Sequence, residues 1–301
     1  MIYPLTIRNK KMHVEIFGEE SSPPVLFLHG GPGESCYDFV YHQAKRLSKE
    51  FRLIAIDQRG VLRSEKILND EPFVLQDLID DCEELRFQLG IKEWTVIGHS
   101  FGGYLCLLYA ITYPKSVSKV IFECPTFNFE WTSRNLLKRA ALLFHEKGDK
   151  ERAQECEALS VGSFSSKELF DHYLRISELL GDEKDRIYSP NPVVTDDSLY
   201  TDLEWEQFWE GTENHLEKLR EEGSIFKSII PYLSNLSVPS LLILGEFDPV
   251  TCEKHVQEYD QVTLGKKIVF NETGHTPHIE APERYEEVVT TFIKSGLIEF
   301  E

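Results

Sequence analysis

Glu93-Trp94-Thr95-Val96-Ile97-Gly98-His99-Ser100-Phe101-Gly102-Gly103 is a short apolar run that ends in a glycine-flanked serine and leads into Tyr104-Leu105-Cys106-Leu107-Leu108-Tyr109-Ala110. The first residues are β-branched and apolar, as a parallel strand covered on both faces requires. The last are continuously apolar and stop before Pro114, as a buried helix does. Between them, Gly98-x-Ser100-x-Gly102 fits a strained strand-to-helix turn that pushes a serine hydroxyl out of the carboxyl edge of a sheet. Two positions either side of that serine, a Cβ would strike neighbouring backbone, so glycine stands there. A plain small-residue turn can carry the same five residues, but the strand before and the helix after favour the elbow, with Ser100 as candidate nucleophile.

Upstream, Tyr3 to Gly18 reads as a hairpin turning near Asn9-Lys10, and Pro24-Val25-Leu26-Phe27-Leu28 as an apolar strand running into His29-Gly30-Gly31-Pro32-Gly33. A glycine-rich turn at that place can aim bare backbone N–H groups into a cleft, so the N–H groups of Gly31 and Phe101 are candidates for an oxyanion hole. A helix is expected over 37–49, then a strand at Phe51–Ile56 ending in Asp57-Gln58-Arg59-Gly60. Buried there, Asp57 and Arg59 are expected to satisfy backbone groups and each other, a structural role. Leu78, Cys82, Leu85 and Leu89 have helical spacing, and Val117–Cys124 reads as a further strand. The alternation predicts an α/β fold with a mostly parallel, doubly wound sheet.

The pattern changes in the middle of the chain. From 126 to 232 strand signals give way to helical segments rich in Glu, Lys and Leu with interspersed Trp131, Phe144, Tyr173, Trp205, Phe208 and Trp209, most of them expected to be packing residues. We read a helical cap inserted between a first core part, 1–125, and a second, 233–301. The sheet resumes at Val238–Leu244 with Gly245-Glu246-Phe247-Asp248, then Gly265–Phe270 with Gly274-His275, before a final helix over 281–295. An elbow serine, an acid after a late strand and a histidine after the last strand make Ser100, Asp248 and His275 a candidate triad in the order Ser…Asp…His. The histidine would take the serine proton while the aspartate fixes its tautomer.

Composition narrows the partners. The 301 residues are 41% hydrophobic and 28% charged, with a formal net charge of −19, which would repel nucleic acid and anionic membranes. Neither a signal-peptide pattern nor an uninterrupted 18-residue apolar run is present, so a cytoplasmic location is expected. The six cysteines lack CxxC spacing and read as free thiols, neither disulfides nor zinc ligands. The sequons at Asn235 and Asn271 carry little weight in such a chain. No metal or cofactor is expected, and the substrate is a small molecule or short peptide; the oligomeric state is not legible.

His29-Gly30-Gly31-Pro32-Gly33, Asp57-Gln58-Arg59-Gly60, Gly98-His99-Ser100-Phe101-Gly102-Gly103, Gly245-Glu246-Phe247-Asp248 and Gly274-His275 together resemble the α/β-hydrolases of the proline iminopeptidase group. The resemblance implies release of an N-terminal residue, often proline, with cap glutamates binding the free amino group. Trp209-Glu210-Gly211-Thr212 is similar to the stretch that carries one such glutamate, so it implies Glu210, then Glu213, with Trp209 beside them, as substrate-binding residues. Two departures stand out: Leu62 replaces the glycine expected after the Asp-Gln-Arg-Gly motif, and the stretch from Glu210 to Val238 is short for a second glutamate. Three readings follow: a serine aminopeptidase; an esterase, lactonase or amidase with an uncharged acyl substrate; and a non-catalytic binding protein on the same scaffold. A serine at the elbow, where those chemistries need an acid, argues against dehalogenase and epoxide-hydrolase activity.

Overall fold

Residues 2–190 and 192–296 are described by the computed structural model. Eight strands form one sheet: β1 (Ile2–Ile7), β2 (Lys10–Phe17), β3 (Pro24–Leu28), β4 (Arg52–Ile56), β5 (Trp94–His99), β6 (Val117–Glu123), β7 (Ser240–Gly245) and β8 (Gly265–Phe270). Their spatial order is β1-β2-β4-β3-β5-β6-β7-β8. β1 and β2 pair antiparallel, β2 joins β4 antiparallel, and β3 to β8 pair in parallel. The hairpin turns one residue earlier than expected, on Arg8 and Asn9, both at positive φ as a two-residue turn demands.

Side chains alternate across the central strands, and both faces are dry. Leu26 and Leu28 join one core cluster with Ile54 and Val96, while Val25 and Phe27 join the other with Leu53 and Ile97. This two-sided burial is why these strands read as unbroken apolar runs. Leu26 lies opposite Ile54 on one side and Val96 on the other, so β5 and its serine sit in the middle of the sheet. The helix expected over 37–49 is built from consecutive segments Tyr37–Phe39, Val40–Ala44 and Lys45–Leu47, the middle one a π-type turn. The last helix runs Pro282–Ser295.

Between β6 and β7 the described residues hold no strand. Helices Phe129–Glu146, Lys150–Val161, Ser166–Leu180 and Asp202–Glu222 follow one another, with a 3₁₀ stretch at Gly181–Ile187. Of the interspersed aromatics, Phe144 and Tyr173 are buried, Trp131, Trp205 and Phe208 are half-buried, and Trp209 is exposed.

The charged motif after β4 is structural, but its pairing differs from the expected one. Asp57 and Arg59 do not satisfy each other: Arg59 grips the buried Asp81 with Nε–Oδ2 at 2.7 Å and Nη2–Oδ1 at 2.5 Å. Asp57 instead takes Arg63, Nε–Oδ2 at 2.6 Å and Nη2–Oδ1 at 3.0 Å, and Arg63 reaches on to Glu15 at 2.8 Å. A planar guanidinium suits two carboxylates at once. Burial pushes the Asp57 carboxyl up, but Arg63 outweighs it and holds the group down at about 2. Leu62, in place of glycine, adopts φ 41°. That left-handed backbone costs about 1–2 kcal/mol, comparable with the roughly 1.5–3 kcal/mol from burying its side chain, and its N–H is held by Thr212 Oγ1 at 2.9 Å.

Arg63→Ala should therefore strand a buried carboxylate and lower unfolding free energy by about 3–5 kcal/mol in urea titrations. In the native protein Asp57 has a depressed pKa, so its stabilisation is present above its ordinary value and lost as pH falls through about 2. In the variant, unpaired burial raises that pKa, so the deficit should shrink between pH 7 and pH 4. A deficit independent of pH would show that lost packing, and not the stranded charge, sets the cost.

Candidate active site

Ser100 has φ 55° and ψ −118°, outside the regions that ordinary residues occupy. Strain of this kind costs about 1–3 kcal/mol and persists only where the surroundings over-determine it. Here they do. A Cβ on Gly98 would come within 2.3 Å of the Gly102 carbonyl oxygen, and one on Gly102 within 2.0 Å of the Leu28 carbonyl oxygen. The Ser100 N–H donates to the Glu123 carbonyl at 2.9 Å, and the Ser100 carbonyl accepts from Gly103 and Thr126. The helix Phe101–Thr112 begins at the next residue, which sets the Phe101 N–H at its N-terminus.

The acid and the histidine come from turns after β7 and β8. These turns approach so closely that a Cβ on Gly245 would lie 1.7 Å from the Gly274 carbonyl oxygen. Asp248 Oδ1 and Oδ2 accept the backbone N–H groups of Val250 (2.9 Å) and Thr251 (3.0 Å), which aims the carboxylate at His275. His275 Nδ1 stands 2.8 Å from Asp248 Oδ1, and that side chain is 1% exposed. Donation from Nδ1–H leaves Nε2 with the lone pair. On the cap side, the His275 N–H donates to the Tyr188 carbonyl at 3.0 Å.

His29 ties the tips of β3 and β4 together. Its Nε2 accepts the Gln58 N–H at 2.9 Å while Nδ1–H donates to the Gly30 carbonyl at 3.0 Å, and burial pushes its pKa down to about 4, so the ring is neutral. The glycine-rich turn it supports brings Gly31 to the cavity of about 360 Å³ that Ser100 and His275 also line.

The rest of that cavity was not foreseen from the sequence. Glu34, Asp38 and Asp185 line it, the last from the 3₁₀ stretch of the cap, and none of its described lining residues is lysine or arginine. Glu34 is exposed to the cavity, with protein crowded round its carboxyl. That crowding disfavours the charged form and, with the neighbouring carboxylates of Asp38 and Asp185, pushes its carboxyl above the ordinary value against the opposing pull of Lys184 and His275. Glu34 follows the His-Gly-Gly-Pro-Gly turn directly, a signal that position alone could have supplied.

The cap residues expected to bind substrate lie elsewhere. Glu210 is exposed and pairs with Lys66 at 3.3 Å, Glu213 is exposed too, and neither lines the cavity. Their helix, Asp202–Glu222, turns Gly211, Thr212, His215 and Leu219 inward, so the helical period carries positions 210 and 213 outward. Trp209, 47% exposed, lines an adjacent cavity of about 380 Å³ that shares Glu34, Ser35 and Asp38 with the first. Five of the cysteines are buried, Cys252 is partly so, and all six are free. No helix among the described residues is long and apolar enough to cross a membrane.

The profile of the alpha/beta hydrolase fold family matches residues 23–282. A proline iminopeptidase of Heyndrickxia coagulans is 29% identical over 279 residues, 90% of this chain and 91% of its own. Among solved structures, the proline iminopeptidase of Mycobacterium smegmatis superposes with a TM-score of 0.71 at 21% identity, covering 98% of both chains. An enol-lactonase from Burkholderia xenovorans LB400 superposes with a TM-score of 0.64 at 18% identity, covering 97% of this chain and 99% of its own. At such identities the superpositions establish the frame and not the substrate. By its sheet, its elbow and the reach of that profile, the chain belongs to the alpha/beta hydrolase fold family, and within it resembles the proline iminopeptidases.

Proposed function

We propose that this hydrolase releases the N-terminal residue, proline among the candidates, from short peptides through an acyl-enzyme on Ser100. Ser100 Oγ attacks the carbonyl carbon of the first residue while His275 Nε2 takes its proton, and Asp248 stabilises the imidazolium. The backbone N–H groups of Gly31 and Phe101 hold the oxyanion. As the C–N bond breaks, His275 returns the proton to the leaving amine; water then attacks the ester by the same route and frees the amino acid.

The observation that carries the peptidase reading is the cavity wall: the space beside Ser100 and His275 is faced by Glu34, Asp38 and Asp185. A protonated N-terminus placed there gains a charge-assisted hydrogen bond worth about 1.5–3 kcal/mol. An uncharged acyl group gains nothing from it. We assign the amine-reading role to Glu34, beside the glycine-rich turn, in place of Glu210. The similarity to proline iminopeptidases supports the same reading. The esterase or lactonase alternative draws on the apolar part of the wall, Pro192, Val193, Val194 and Ile279, and on the solvent-facing place of Glu210.

Ser100→Ala should lower kcat/KM by roughly 10⁴-fold or more, and adding His275→Ala should cost little further, since the residues act as one unit. Near-normal turnover by a folded Ser100→Ala protein would end the mechanism. Glu34→Gln should lower kcat/KM for a free-amine aminoacyl arylamide by roughly 10- to 100-fold while sparing a p-nitrophenyl ester of similar size, and Glu210→Gln should change neither by more than about 2-fold. Because Glu34 must be ionised to hold an ammonium and its pKa is raised, the native KM for the arylamide should climb as pH falls from neutrality, and the Glu34→Gln enzyme should lack that limb. Equal effects of Glu34→Gln on both substrates would favour the esterase.

A further inference from the structure

Behind the nucleophile lies a second polar cluster that the proposed chemistry leaves unused. Glu123, the last residue of β6, is fully buried. Among the described residues its basic partners are two histidines, with no lysine or arginine. Its Oε1 accepts the backbone N–H of His278 at 2.8 Å and lies 2.9 Å from His278 Nδ1. Its Oε2 accepts the Tyr285 hydroxyl at 3.3 Å and lies 3.6 Å from His99 Nδ1. That last nitrogen is buried and has no hydrogen-bond partner. Burial, and then the rings of His275, His278 and His29, keep the His99 imidazole well below its ordinary pKa, so it is neutral. One donor atom from each of His99, Glu123 and His278 lies within 4.8 Å of the others, and both histidines line the active-site cavity.

We propose that His99, Glu123 and His278 bind a zinc-class divalent cation, and that the bound ion inhibits hydrolysis at the neighbouring Ser100. Two imidazoles and a carboxylate form a ligand set that zinc takes at about 2.0–2.2 Å, with a fourth position left for water. Ligands at that radius stand roughly 3.3 Å apart around a tetrahedron; His278 Nδ1 lies 2.9 Å from Glu123 Oε1 and His99 Nδ1 3.6 Å from Oε2, so the carboxylate turns one oxygen to each imidazole. The ion takes the place of the hydrogen bond between His278 Nδ1 and Glu123, with the ring proton carried on Nε2, and compensates a buried carboxylate. It also satisfies the unpartnered His99 nitrogen. Entry is through the cavity that both histidines face.

Inhibition follows from proximity. The ring centroids of His99 and His275 are 4.6 Å apart, so a doubly charged ion on His99 opposes the positive charge that His275 acquires when it takes the serine proton. This half of the proposal rests on the serine-hydrolase reading; cation binding does not.

The test is titration of the purified 301-residue protein with Co²⁺, read by its visible absorption, and with Zn²⁺ by calorimetry. The expected result is one tetrahedral ion per chain at micromolar or tighter affinity and loss of hydrolysis that EDTA restores. His99→Asn and Glu123→Gln, each checked for an unchanged circular dichroism spectrum, should weaken binding by more than the roughly 10–100-fold typical of an outer-shell partner. Cys124 also lies near Asp248 and His275 in a possible donor set, and Cys124→Ser should leave the affinity unchanged. No binding at millimolar metal, or equal affinity in the folded His99→Asn protein, overturns the site. Tight binding with undiminished turnover overturns the inhibition. If no substrate is hydrolysed at all, the spectral and calorimetric readouts still decide the site while the hydrolase reading fails separately.

Discussion

The Leu28 carbonyl and the backbone of Gly102 meet with no room for a single carbon between them, and most of the site depends on that contact. A Cβ at Gly102 would stand 2.0 Å from the Leu28 oxygen, so the helix that follows Ser100 starts directly against the tip of β3. That approach brings the glycine-rich turn after β3 beside the serine, and it forces Ser100 to φ 55°. The strain is held from the other side by the Ser100 N–H on the Glu123 carbonyl, which ties the elbow to β6. One steric constraint thus fixes the nucleophile relative to the strands on both its flanks.

Around the elbow, the strand tips are fastened by buried charges, one pair close in sequence and two that join separate elements. Arg63 spans Asp57 and Glu15, joining the loop after β4 to β2. Arg59 spans to Asp81 on the helix Leu75–Gln88. Such pairs add little net stability over an apolar core of the same shape, but breaking one leaves an uncompensated charge. Their effect is to give each loop a single arrangement. Glu123 has imidazoles where these pairs have guanidinium groups, and with a neutral His99 beside it this is the carboxylate of the four whose charge is least completely matched.

The cap contributes to the site through a short irregular stretch more than through its helices. Asp185 reaches the cavity from the 3₁₀ turn, and the Tyr188 carbonyl holds the His275 backbone. Helix Asp202–Glu222 packs through Thr212 against Leu62 and leaves Glu210 in solvent with Lys66. The acids that face the cavity thus come from the residues just after the glycine-rich turn and from the segment that follows the third long cap helix.

Local patterning was enough to read the sheet, the elbow and the candidate triad. Unbroken apolar runs identify strands buried on both faces, glycines mark places where backbone must touch backbone, and Asp248 and His275 follow their strands at once, so each declares itself within a few residues. What the sequence could not supply is pairing at a distance. Asp57 has Arg59 two residues away but chooses Arg63, because the turn points Arg59 toward Asp81. Glu210 matches a motif, yet its side of the helix faces water, since the inward face is set by which helical stripe packs on the core. Glu34, Asp38 and Asp185 are unremarkable acids in an acidic chain; they become one wall only because the first turn, the following helix and the cap are folded onto the same space. The sequence by itself determined the frame and the candidate reacting groups, which rest on short-range sterics and periodicity. Tertiary structure decided which charges meet and which face the cavity, because those depend on packing between elements far apart in the chain, such as Glu123 and His278, 155 residues apart.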